Sequence, residues 1–472
     1  MTGAVVVGSG PNGLAAATVL ARAGVEVTVF EADHVLGGGA RSGPSLVPGL
    51  VQDHCSAVHP MAAASSYIAS WQLDERGVQW ARAPYDAAHP FDDGDAALLS
   101  QSIEETADRL GADGRAWRTM FAAPSDRFAD LTTDIFQPMI RMPRHPLLLA
   151  RFGAVAALPP TWTARALRTE RARALFTGVA AHAINRIDVP LVGGIGAGII
   201  TAGHAVGWPV VAGGTGVLTD AVIAGLRELG VRFETGVRVR SLRDLPHHEV
   251  AMLDVHPHEA ARLLGERMPR AARSAYLRFR PGPAAFKVDF AVHGAIPWRN
   301  PEVGRAGTVH LGGTAREIAD VETEIAKGRM PERPFVLVGQ QFVADPTRAA
   351  GDIVPVYAYA HVPAGYTGDA TAAIIAQIER FAPGFRERIV ATGVVTVTEM
   401  AQRNPNFVGG DILTGAKTPL QFLCGPRLSP FPYDTGVPGS YLCSAATPPG
   451  PGIHGMSGVN AARRALRWAR SQ

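Results

Sequence analysis

The 472-residue chain is long enough for two or three domains, or for one large discontinuous domain. Hydrophobic residues supply 47% and charged residues 18%, which excludes a disordered or fibrous chain and permits a large core. The 45 basic and 42 acidic residues leave a formal charge of +3, too small a surplus to argue for nucleic acid. Cys55, Cys424 and Cys443 are too few and too scattered for a disulfide framework or a metal site, and they suit a reducing cytoplasm. The chain opens on a strand pattern instead of a charged and then apolar leader, so no secretion is expected. The nearest approach to a membrane span, residues 189–203, carries Gly193, Gly194, Gly196, Gly198 and Gly203 and reads as a buried, close-packed segment.

In chain order, residues 4–17 (AVVVGSGPNGLAAA) predict an apolar strand, a glycine turn and an alanine-rich helix. Gly8 permits the tight turn, Gly10 lets backbone approach a pyrophosphate, and Gly13 allows close helix–strand packing. Pro11 and Asn12 lie at the helix start, whose N–H groups and dipole favour phosphate. A second strand at residues 26–30 ends on Glu31, placed about 20 positions past the glycines as a ribose hydroxyl acceptor would be. This fingerprint fits NAD and FAD equally, and its plainer alternative is a glycine turn in an ordinary βαβ unit.

A second cluster, Gly37, Gly38 and Gly39, allows another close backbone approach, with Arg41 in reach of a phosphate. Helical text follows to about residue 130, including Ser102 with Glu105 three residues on, a capping-box pattern. Residues 135–186 mix apolar runs with Arg141, Arg144, Arg151, Arg165, Arg168, Arg171 and Arg173. A basic amphipathic stretch suits a membrane surface; a helical lid with solvated arginines is the alternative. Pro138, Pro143, Pro146, Pro159 and Pro160 break the stretch and favour the lid.

From residue 210 the nucleotide-domain style returns, with a helix at 217–229 and strands at 231–235, continuing through 236–242, and at 248–255. Such alternation implies a parallel sheet shared by the first and middle segments. Residues 283–363 are β-rich: Phe286, Val288, Phe290 and Val292 alternate with Lys287, Asp289 and Ala291, and a helix at 370–381 closes the block. Near the end, a strand at 440–444 enters a glycine/proline loop and then a helix at 459–470. A second backbone-lined loop at a helix start suits another part of the same anionic ligand; the alternative is a strand–turn–helix that simply finishes the sheet.

Residues 8–13, then Glu31 with residues 37–41, then residues 441–456 together resemble the phytoene desaturase-like flavoproteins. Residues 53–60 (DHCSAVHP) resemble a branch of that family, the NAD(P)/FAD-dependent oxidoreductases. The likeness extends over the whole chain, and the superfamily also holds carotenoid desaturases, retinol saturases and amine oxidases. It implies an α/β fold with a discontinuous Rossmann-type FAD-binding domain at 1–65, 205–280 and 400–472. An inserted α+β substrate domain, a mixed sheet plus a helical lid at about 135–186, would occupy 66–204 and 281–399. FAD is the cofactor it implies, held by Gly8, Gly10, Pro11, Asn12, Gly13, Glu31, Ala32, Gly38, Gly39, Arg41, Val58, His59, Val239, Ser444, Gly452, Ile453, His454 and Met456. The chain departs from the family twice. Residues 243–247 leave only a short bridge where members carry a β-meander, and Ser444, Ala445 and Ala446 stand where many FAD enzymes have an acidic residue.

The activity implied is an FAD-dependent oxidoreductase that desaturates a carbon–carbon bond of an apolar isoprenoid-like or lipid-like substrate by hydride transfer to flavin N5. In related amine oxidases a strand lysine approaches N5 through water, which makes Lys287 a catalytic candidate; the alternative is a surface lysine on an exposed sheet face. His454 is the other, as acid or base, unless it serves only to hydrogen-bond backbone; His54, His59 and His182 are further options. Phe431 and Tyr433 are the nearest residues to the aromatic cage that amine oxidation would require. No metal and no nucleic acid is expected; oxygen or a quinone is the electron acceptor considered, peripheral membrane contact is considered, and the oligomeric state is left open. A flavin-dependent isomerase or saturase is an alternative, as is a non-catalytic lipid-binding or escort protein. Intact glycine loops argue against the last.

Overall fold

The first apolar strand, Gly3–Val7, lies at the centre of a five-stranded parallel sheet in a computed structural model describing residues 3–44 and 46–471. Its neighbours are Glu26–Phe30 on one side and Val250–Leu253 on the other, flanked by Arg232–Glu234 and Ser440–Leu442. A strand buried on both faces reads as a continuous apolar run, which is why Ala4, Val5, Val6 and Val7 show no alternation. The Pro11–Arg22 helix follows, and the Met456–Ala469 helix packs along it through Ala15, Ala16, Ala17, Ala461, Ala462 and Ala465. A methyl group at Gly458 would stand 1.9 Å from the Asn12 carbonyl oxygen, so the contact between the two helices requires glycine there.

The strand expected over 236–242 does not form. Gly236 turns the chain at φ 70, and the N–H groups of Gly236 and Val237 donate to the carbonyls of Asp33 and Glu31. The segment thus wraps the end of the second strand instead of extending the sheet, and a short 3-10 turn, Leu242–Asp244, leads back to it.

A seven-stranded mixed sheet runs in the order Ile389–Val395, Ala284–His293, Ile353–Val362, Val336–Gly339, Ala306–Leu311, Tyr85–Pro90 and Ala96–Leu99. Only the Ala306–Leu311/Tyr85–Pro90 pairing is parallel. Phe286, Val288, Phe290 and Val292 enter a core with Ile374, Ile378, Phe381 and Phe385, as their period of two predicts.

Between the two sheets in sequence come the helices Pro146–Ala156, Pro160–Ala166, Glu170–Ala180 and Gly193–Val206. Pro146 and Pro160 begin helices and do not break them; at the first position the missing N–H has no intrahelical partner to lose. Ser102 caps its helix by accepting the Glu105 N–H at 3.2 Å, but the Glu105 carboxylate turns to Ser100 Oγ, so only half of the capping box forms. Arg141 is committed to Asp134, Arg171 to Asp95 and Arg173 to the Leu167 carbonyl. Among the described residues no helix is long and apolar enough to cross a membrane.

A buried ion network ties these parts together. Asp53 accepts Ser42 Oγ (2.5 Å), the Thr215 N–H (2.8 Å) and Arg348 Nη1 (2.5 Å). Arg348 also donates to Asp345 (3.2 Å) and to the Val211 carbonyl (2.8 Å). Removing one member of a buried, fully paired network strands the remaining charges and costs about 3–5 kcal/mol. Arg348→Ala is therefore expected to lower the thermal midpoint markedly; a midpoint within about 1 °C of the parent would contradict the network's role.

Candidate functional site

Every strand of the parallel sheet ends at the same edge, and ligands of such sheets bind outside the carboxyl ends. There Gly8 adopts φ 99 and donates its N–H to the Phe30 carbonyl at 2.8 Å. Gly10 caps the helix with no side-chain acceptor and Pro11, which has no N–H, takes its first position; the Leu14 N–H goes to the Gly10 carbonyl, so among the described residues the Asn12 N–H is the one left for a ligand. Gly13 donates its N–H to Asp254 Oδ2 at 2.8 Å, and a methyl group on it would lie 2.1 Å from the Gly8 carbonyl oxygen. Asn12 Oδ1 is buried without a partner.

Ser9 knots the turn to its neighbours. Its N–H and hydroxyl donate to Glu31 Oε2 (2.9 and 2.6 Å), and its hydroxyl accepts the Gly37 N–H (3.1 Å). Among the described residues Glu31 Oε1 accepts only the Asp33 N–H (3.0 Å), beside the exposed Ala32. Gly38 lies so close to Gly10 that its missing methyl would be 3.0 Å from the Gly10 Cα, and Gly39 packs beside Phe407. Arg41 is not free for a phosphate: Nη1 holds Asp33 at 2.7 Å, while its Nε is buried without a partner. Burial pushes the Asp33 carboxyl up, but Arg41 and the N–H groups of His34 and Val35 together outweigh this and hold it below its ordinary value.

Asp254 is the residue at this edge that sequence reasoning passed over, although an acid directly after an apolar strand of a parallel sheet is a readable signal. Burial pushes its carboxyl up to about 7 against the pull of the Gly13 N–H, and the Glu31 charge adds to the rise.

At the far end of the chain, Ser444 is buried with its hydroxyl unpartnered. Gly452 and Ile453 adopt φ 138 and φ 60, and Met456 opens the last helix. His454 is buried against Phe136 at 4.9 Å; its Nδ1 accepts the Met456 N–H at 3.0 Å and its carbonyl accepts Ser65 Oγ at 2.6 Å. Burial lowers its basicity to about 4, so the ring is neutral at pH 7 and braces the loop.

These turns open on one cavity of about 550 Å³, lined by Gly10, Pro11, Asn12, Gly39, Val58, Asp254 and residues 445–454, and continuing over Phe152, Leu191, Ile195, Leu337, Phe422 and Leu423. His59 and Val239 stand outside its lining. His59 Nε2 is bonded to Thr215 Oγ1 at 2.8 Å, and Val239 packs with Val7 and Phe30.

Lys287 is neither alone nor on an exposed face. It is 1% exposed, its Nζ holds both Asp289 oxygens at 2.5 Å and lies 4.6 Å over the Tyr357 ring. The second face of its strand is covered, and Tyr357 stands in the cavity wall where Lys287 does not. Tyr357 and Tyr359, 5.9 Å apart and perpendicular, are the aromatic pair at the cavity. Phe431 is exposed over Arg464, and Tyr433 donates to the Pro448 carbonyl; neither lines it.

Two further groups complete the wall. His182 Nε2 bonds to His310 Nε2 at 2.8 Å, beyond which Phe335 separates them from a buried His361–Glu322 pair (2.5 Å). Burial drives His182 to about 3, so the pair is neutral and one ring donates to the other. His54, by contrast, is exposed. Lys417 is buried in the wall, and its Nζ donates to the Leu413 carbonyl at 3.0 Å. Nothing in its sequence neighbourhood announces it.

Residues 6–73 match the family model of the NAD(P)-binding Rossmann-like domain. Over 98% of this chain and 93% of the relative, the sequence is 24% identical to pyridine nucleotide-disulfide oxidoreductase domain-containing protein 2 of Rattus norvegicus. Among solved structures, an oxidoreductase from Methanosarcina mazei superposes with a TM-score of 0.65 at 16% identity, covering 99% of this chain and 100% of that one. Wild-type putrescine oxidase bound to putrescine gives 0.61 at 17% identity, covering 100% and 99%. The chain therefore carries a Rossmann-like nucleotide-binding domain within the overall fold of these oxidoreductases.

Proposed function

We propose that this chain is an FAD-dependent oxidoreductase of the phytoene desaturase-like kind, which removes hydrogen from an apolar substrate held in the 550 Å³ cavity. The observation that carries the reading is convergence: two glycine turns and the loop before the last helix line one cavity whose remaining wall is mostly apolar. Bound FAD supplies a two-electron acceptor at its N5 atom. The first turn of Pro11–Arg22, with its Asn12 N–H, and the start of Met456–Ala469, where His454 Nδ1 already takes the Met456 N–H, suit the negative parts of such a ligand through their helix dipoles. Glu31 Oε1 retains acceptor capacity for a ribose hydroxyl, and Ser444 Oγ is an orphan donor in the last loop. Asp254, neutral up to about pH 7, does not repel a pyrophosphate beside Gly10. The apolar wall excludes water from the substrate's reacting carbon.

An amine substrate is a second reading, favoured by the perpendicular Tyr357–Tyr359 pair. The Lys417 ammonium in the same wall opposes it, because a cationic amine would meet a like charge.

Purified protein is expected to carry stoichiometric, noncovalent or covalent FAD, read from its absorption spectrum, and an apolar substrate added without oxygen should bleach it. Recovery of NAD in place of flavin would overturn the reading. Gly10→Val, whose side chain meets Asp254 Oδ2 at 2.7 Å from its first carbon, should weaken FAD binding roughly 10–100-fold by titration.

Asp254 also sets a pH dependence. Its carboxyl is raised from 3.8 to about 7 in the fold, so the stability held by the protonated acid is complete below pH 3.8 and lost as pH rises through 7. Asp254→Asn mimics the neutral acid. Its thermal midpoint should gain on the parent's between about pH 4 and 7, whereas a constant offset across that window would contradict the assignment.

A further inference from the structure

The cavity wall contains a single cationic side chain. Among its lining residues Lys417 is the only lysine or arginine, and Asp254 the only acid. The Lys417 side chain is 8% exposed and donates one hydrogen bond, to the Leu413 carbonyl. Three donors crown an ammonium, so two are left over. The nearest carboxylate in charge, Asp411, raises its basicity but is spent on the N–H groups of Gly282, Leu413 and Gly415.

Burying an ammonium without a counter-charge is costly, and a chain can avoid that cost by ending the position in an apolar residue. Here the residue shares a mostly apolar cavity wall, with Leu191, Ile195, Leu413 and Phe422 among its lining, where an apolar side chain would serve packing at least as well. Burial lowers its basicity to about 8, which still leaves most of the population charged at pH 7. A phosphate monoester head, which carries close to two negative charges at neutral pH, would leave charge uncompensated beside this lone ammonium. One charge with two spare donors matches one carboxylate.

We propose that Lys417 receives the carboxylate of an otherwise apolar substrate, so that the cavity takes amphipathic carboxylic acids, an acyl or isoprenoid tail with an acid head, in preference to plain hydrocarbons. The proposal rests on the reading of this cavity as the substrate site. The ammonium fixes one end of the chain, and the apolar wall then determines which carbon along the tail faces the flavin side. Gln341, buried in the same wall with its Nε2 unpartnered, offers a further donor to a polar head.

The test uses protein whose FAD content has been measured first, with decanoate and 1-decanol as probes in titration calorimetry. Decanoate is expected to bind at least about 10-fold more tightly than decanol, a difference of about 1.4 kcal/mol. Lys417→Met should erase that preference while keeping the decanol affinity and the FAD content, and Lys417→Arg should restore part of it. Equal binding of the two probes, failure of decanoate to bind, or a preference that survives in Lys417→Met overturns the proposal. So does loss of FAD from Lys417→Met with the preference intact, which would assign the ammonium to the cofactor. Should Lys417→Met fail to fold, the comparison of probes on the parent protein and on Lys417→Gln decides. Protein that holds no FAD yet prefers decanoate would sink the oxidoreductase reading and leave the carboxylate site standing.

Discussion

Three backbone turns can meet at the carboxyl edge of the parallel sheet only because no side chain stands between them. Gly13 lies against Gly8, Gly38 against Gly10, and Gly458 against Asn12, each at a distance that a single methyl group would violate. From that constraint the rest follows. The turn leaves the Asn12 N–H facing outward, Ser9 locks it to Glu31 and Gly37, and Asp254 takes the Gly13 N–H beneath it. A turn held this rigidly costs little further ordering when a dinucleotide arrives.

Electrostatics in the cavity is governed by subtraction. The histidines nearby, His182, His310 and His454, are all held neutral by burial, and burial raises Asp254 to about 7, so that it is largely neutral below neutral pH. Lys287, the most obvious cation in the sequence pattern, is cancelled by Asp289 behind Tyr357. What is left to act on a ligand at long range is the ammonium of Lys417 and the two helix starts. In so apolar a space even a single uncancelled charge has a large reach.

The cofactor side was legible in the sequence because its requirements are local. A missing Cβ at fixed spacing, a strand before it and an acid after the next strand are properties of neighbouring residues. The substrate side was not legible for the opposite reason. Alternation told which residues of 284–293 share a face, but not that the face bearing Lys287 would be covered as well. Proline marked Pro146 and Pro160 as interruptions, whereas their place at a helix start depends on where the helix begins. His182 meets His310, and Lys417 joins Leu191 and Leu337 at one wall, only through contacts between remote segments. Residues 236–242 failed as a strand because Asp33 and Glu31 compete for their backbone, a competition no local pattern records.

The strand order carries a consequence for how the molecule assembles. Gly3–Val7 finds one partner nearby in Glu26–Phe30, but on its other side Ala4 pairs with Val250, and Ala251 in turn with Ser440, segments far along the chain. The helix that closes against Pro11–Arg22, Met456–Ala469, is likewise remote from it in sequence. Contacts of such long range form slowly and leave the other edge of Gly3–Val7 and one face of its alanine helix uncovered meanwhile. The glycine edge can therefore close only once segments remote in sequence have docked.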